Sequence, residues 1–78
     1  MTFEELVQEL VRAYHTAPHG KAVVMIHLFG IKYADEIINN EYSIRDLLDR
    51  AEVPQSYYPE IKKGVNLSRY VDIRPEYM

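Results

Sequence analysis

Apolar side chains recur along this chain mostly at helical spacing. Phe3, Leu6, Val7, Leu10, Ala13 and Tyr14 fall on one stripe, while Glu4, Glu5, Gln8, Glu9 and Arg12 fill the opposite side. The spacing predicts an amphipathic helix over about 2–16. Thr2 followed by Glu5 has capping-box spacing at its start. Pro18-His19-Gly20 breaks the pattern. Residues 21–28 (KAVVMIHL) are then almost continuously apolar. Such a run suits a buried strand as well as a buried helix. No second strong strand stands nearby to pair with it, so a short buried helix is expected, with Phe29-Gly30 as a turn. Ile31, Ala34, Ile37 and Ile38 resume the helical period and predict a helix over about 31–39, ending at Asn39-Asn40.

The second half of the chain repeats this logic in shorter units. Ser43 is a suitable N-cap for a helix over about 44–51 that would bury Ile44, Leu47, Leu48 and Ala51. Residues 52–55 (EVPQ) form a tight connection. Ser56 could cap a fifth helix that runs to Gly64, with Pro59 in the first turn, where a missing amide has no intrahelical acceptor anyway. Glu60 would favour the positive end of that helix, and Gly64 would stop it. Tyr70-Val71-Asp72-Ile73 alternates and could form one short strand before Pro75. The expected fold is all-α: one compact bundle of four to five short helices over residues 1–78, with a short C-terminal strand as an option.

Composition narrows the chemistry. With 78 residues there is room for one small core. Apolar residues at 47% and charged residues at 27% suit a globular domain rather than a disordered chain. The absence of cysteine removes disulfides, cysteine nucleophiles and thiolate metal sites. No apolar run approaches the roughly 20 residues needed to span a bilayer. The acidic start (MTFEE) lacks the basic and apolar regions of a secretory signal, so a cytoplasmic, prokaryotic-sized protein is expected. The net charge is −3, but it is unevenly spread. Residues 1–60 carry five basic against ten acidic side chains, and residues 61–78 carry four against two. An acidic body thus ends in a weakly basic quarter.

Few groups point to catalysis. His15 and His19 are four apart but separated by Pro18, and no third metal ligand is evident. His27, inside an apolar run, reads as a buried, hydrogen-bonded core histidine. The carboxylate pairs Asp35-Glu36 and Asp46/Asp49 are flanked by Lys or Arg and read as surface ion pairs. The three isolated glycines make no phosphate loop. Neither an enzyme nor a cofactor is expected.

The informative segment is 43–64, SIRDLLDRAEVPQSYYPEIKKG. It lays out a short capped helix, a turn of about four residues and a second short helix, with Leu47, Val53, Tyr58 and Ile61 as the inward anchors. This is the plan of a helix-turn-helix, whose second helix can enter the major groove of DNA. Ser43, Leu47, Val53, Ser56, Ile61 and Gly64 resemble, in register, the helix-turn-helix of phage-repressor and Cro-type proteins. The whole chain, through IHLFGIKYADEI and SYYPEIKKGVNLSRYV, is similar to small bacterial HTH-like domains.

The segment departs from the repressor pattern at three places. Leu48 stands where a small residue is usual, Glu52 where glycine supplies a positive φ, and Pro59 where the recognition helix is already regular. These departures suggest wider helix spacing or a different turn. The resemblance implies a transcription-associated module that binds duplex DNA. Gln55, Ser56 and Tyr57, with Glu60 beside them, would face the bases, and Lys62, Lys63 and Arg69 the phosphates. The competing reading is a protein-interaction module, homodimeric in one version, that keeps the fold without binding DNA. It rests on the net acidity, on Glu52 and Glu60, and on the crowding of Tyr57, Tyr58, Tyr70 and Tyr77. In that reading Gln55 and Ser56 only cap a helix, Tyr57 covers a hydrophobic edge and the lysines are solvated.

Overall fold

A computed structural model describes all 78 residues, Met1–Met78. Five α-helices follow one another: α1 (Phe3–His15), α2 (Ala22–Lys32), α3 (Ala34–Asn39), α4 (Ile44–Arg50) and α5 (Tyr58–Leu67). Single 3-10 turns occupy Gln55–Tyr57 and Pro75–Tyr77. The all-α expectation holds, and the chain contains no strand.

Local chemistry sets the helix starts. The Thr2 hydroxyl accepts from the Glu5 amide, and the Glu5 carboxylate accepts from the Thr2 amide, so two amides without intrahelical acceptors are satisfied at once. These bonds also hold the Glu5 carboxyl below the usual carboxylate range. Ser43 caps α4 by accepting from the Asp46 amide at 3.2 Å.

The core lies where α1, α2, α4 and α5 meet. Leu6, Leu10, Ile26, Leu47, Leu48 and Ile61 are its fully buried large side chains. Leu48 therefore serves the core, and the residue larger than the repressor pattern wants is filled around rather than excluded. Phe3 and Tyr42 pack edge to face at 5.4 Å beside the start of α1. Arg50 at the end of α4 forms an ion pair with Glu4 of α1.

Several boundaries differ from the expectation, for one shared reason. Phe29-Gly30 is not a turn: α2 runs through both and ends at Lys32, and only Tyr33 separates it from α3. Gly64 does not stop α5, which continues to Leu67. Both glycines lie inside helices and face each other. A β-carbon on Gly30 would come within 2.7 Å of the Ile61 carbonyl oxygen and 2.9 Å of the Gly64 α-carbon. One on Gly64 would come within 2.5 Å of the His27 carbonyl oxygen. They permit close backbone approach of α2 and α5, a role that the local pattern does not distinguish from helix breaking. His27 meets Glu60 and Gly30 meets Gly64, so α2 and α5 run side by side in the same direction.

Two further expectations are corrected. Ser56 caps no helix: it sits within the 3-10 turn, and α5 begins after it without a side-chain cap. Residues 70–73 form no strand, since no neighbouring strand is present to pair with them; the tail ends in the 3-10 turn at Pro75–Tyr77.

Candidate nucleic-acid interface

Helices α4 and α5 are the two helices of the segment expected to form a helix-turn-helix. Between them, Glu52 has φ = 56°, in the left-handed region that favours glycine. The positive-φ turn is therefore present with a glutamate in it, at a cost of about 1 kcal/mol relative to glycine. The Val53 amide donates to the Leu48 carbonyl at 2.9 Å, and the Val53 side chain is buried between the two helices. Pro54 then leads into the 3-10 turn, and Pro59 lies in the first turn of α5, where it breaks no hydrogen bond.

The front of α5 is held by neighbours on three sides. Gln55 is exposed, but its amide is engaged: Nε2 donates to the Arg45 carbonyl at 2.9 Å, and Oε1 accepts from Arg45 Nη1 at 3.3 Å. The Arg45 guanidinium in turn lies 4.2 Å from the centre of the Tyr58 ring. Tyr57 is not free surface, as expected for a base contact, but half-buried: its ring packs edge to face on Tyr14 of α1 at 5.2 Å. Desolvation and the Tyr14 hydroxyl push its own hydroxyl above the usual tyrosine range. The His15 imidazole bonds the Ala51 carbonyl at 3.0 Å, so the end of α1 also braces the turn.

Glu60 is likewise withdrawn from the expected groove-facing set. Its Oε1 lies 2.7 Å from His27 Nε2 of α2, and Lys63 Nζ approaches the same carboxylate at 3.4 Å. The His27 hydrogen bond holds the Glu60 carboxyl below its ordinary range, with the Lys63 bond and charge adding to it. His27 is therefore half-buried and paired across helices rather than enclosed in the core.

What remains exposed on the outer side is Ser56, Pro59, Lys62, Lys63 and Asn66, with Arg69 just beyond the helix. Lys62 and Arg69 have no acidic partner, whereas Lys63 shares Glu60. The spacing 59, 62/63, 66 places these residues on one outward stripe of α5. Asn66 lies outside the expected set, because a helix ending at Gly64 excludes it. Extending the three-to-four-residue period past Gly64 brings it in.

A family model for HTH-like domains matches residues 2–74, nearly the full chain and including both helices of the pair. The chain belongs to the HTH-like domain family. No curated protein and no solved structure matches it. This HTH-like domain has no helix long and apolar enough to cross a membrane. No group of three or more His, Cys, Asp or Glu side chains converges as metal ligands would. His15 is occupied by the Ala51 carbonyl, and His19 lies beyond the end of α1.

Proposed function

We propose that this HTH-like domain is a transcription-associated DNA-binding module that lays the outer side of α5 against duplex DNA. The observation that carries the reading is the outward stripe of a braced helix-turn-helix, with two unpaired cations, Lys62 and Arg69, and a third, Lys63, at its edge. Acidic side chains dominate the rest of the chain, yet the only carboxylate on the groove side of α5, Glu60, is turned back onto His27. That placement turns the carboxylate of α5 toward α2 and Lys63 rather than toward the phosphates.

In this reading Lys62, Lys63 and Arg69 contact phosphates and set the docking position. Ser56 and Gln55 meet base edges at the front of α5, with Gln55 oriented by Arg45. Tyr57 contributes its hydroxyl edge while its ring stays on Tyr14. Asn66 joins the set, since an outward amide on a helix in the groove can pair bidentately with adenine.

The test is a fluorescence-anisotropy titration of labelled mixed-sequence duplex at low and physiological salt. Binding that weakens steeply as salt rises is the expected result. Lys62→Ala with Lys63→Ala should weaken binding to all sequences alike. The log–log salt dependence should flatten by about 0.9 for each phosphate no longer neutralised. Absence of binding at low salt would overturn the reading and leave the fold as an interaction module.

A further inference from the structure

Helix α2 is apolar on all sides (AVVMIHLFGIK), although the domain covers only part of it. Ile26, Phe29 and Gly30 face inward and are buried, and His27 turns to Glu60 of α5. That leaves Val24, Leu28 and Ile31 along a third side, at the spacing of a helix–helix seam. Val24 is 49% exposed and its neighbour Val23 44%, while Leu28 and Ile31 are half-buried. A helix apolar all round is ordinarily covered all round.

We propose that this side of α2 packs against the same side of a second copy of the chain, antiparallel about a two-fold axis near Leu28. Charge selects the occupant and the direction. Lys21 and Asp35 continue the same spacing at the two ends of the seam (21, 24, 28, 31, 35). Both are exposed, and neither has an ion-pair partner within the chain. The chain bends at Tyr33, but the Tyr33 amide still donates to Phe29 and the Ile37 amide to the Tyr33 carbonyl. Asp35 consequently stays beside Ile31 and Lys32, lining one groove with them.

An antiparallel pairing sets Val24 against Ile31 of the second copy and Lys21 beside Asp35 of the second copy, twice by symmetry. A parallel pairing would set lysine on lysine and aspartate on aspartate. A foreign helix with one sign of charge would satisfy only one end. Ile73 and Met78 of the tail border the same groove, together with Asp72, and with Tyr77 they line the neighbouring groove that holds Leu28, so the tail flanks the seam. Three helical turns bury less than the roughly 800 Å² per partner of a standard interface, so the dimer is weak and concentration-dependent. This inference does not rest on DNA binding.

Sedimentation velocity on the full chain, from about ten micromolar to about one millimolar, tests it. The expected result is a monomer–dimer equilibrium that Val24→Asp weakens at least about tenfold. Lys21→Glu and Asp35→Lys should each weaken it about fivefold, since symmetry breaks two pairs, and the double swap should restore it. Because both swapped positions are exposed, unchanged circular dichroism accompanies these variants. A monomer at all concentrations overturns the proposal. So does a dimer indifferent to Val24→Asp, and so does a dimer that the double swap fails to restore.

Discussion

Gly30 and Gly64 touch backbone to backbone where α2 packs along α5, so closely that a β-carbon on either would lie 2.9 Å from the other's α-carbon. This close approach seats the second helix of the helix-turn-helix on the rest of the bundle. A methyl group at either position strikes backbone atoms, which cannot rotate aside as a side chain would. Gly30→Ala and Gly64→Ala should therefore each destabilise. Overpacking of about 3 kcal/mol outweighs the helix-propensity gain of about 1 kcal/mol. The net loss of about 2 kcal/mol corresponds to a Tm lower by roughly 8–16 °C in a domain this small. Calorimetry checks it, and an unchanged or raised Tm would mean that the helices can separate at no cost.

Glu52 gives the opposite sign. Its φ of 56° is tolerated rather than required by its side chain, which is exposed and makes no hydrogen bond or ion pair. Glu52→Gly should stabilise the domain by about 1 kcal/mol. The urea midpoint should rise with an unchanged slope. A fall in the midpoint would show that the chain entropy lost on folding glycine exceeds the strain relieved.

The Tyr14–Tyr57 stack ties the front of α5 to α1. A double-mutant cycle with Tyr14→Leu and Tyr57→Leu should return a coupling energy of about 0.5–1.5 kcal/mol. If Tyr57 also touches DNA, Tyr57→Phe should lower affinity without changing the melting temperature. A coupling near zero would leave the two rings as neighbours without mutual stabilisation.

Acid should loosen the packing of α2 on α5 through Glu60. Its carboxyl is held below the ordinary value of 4.5, chiefly by the His27 hydrogen bond and further by Lys63. A group whose pKa is lower in the folded state stabilises fully above its unfolded value. That contribution disappears as the pH falls through the folded value. Melts between about pH 6 and about pH 3 should therefore fall less steeply for Glu60→Gln than for the parent chain. Equal slopes would place the acid sensitivity elsewhere, for example at the Glu5 cap.

The sequence by itself determined the helical class, the two side-chain-capped helix starts and most of the inward face. Thr2 and Glu5 act within one turn, as do Ser43 and Asp46, and periodicity alone sorts Leu6, Leu10, Leu47 and Ile61 to the inside. These are short-range effects, so a linear reading reaches them. Tertiary structure decided what the glycines, the histidine and the front of α5 do. Gly30 and Gly64 look like stops locally, and become packing points only because each meets the other. Tyr57 and Glu60 read as groove-facing from their register, yet Tyr14 and His27, 43 and 33 residues away, draw them inward. A pairing between distant residues leaves no periodic trace in either segment, which is why the helices were legible along the chain and the shape of the candidate interface was not.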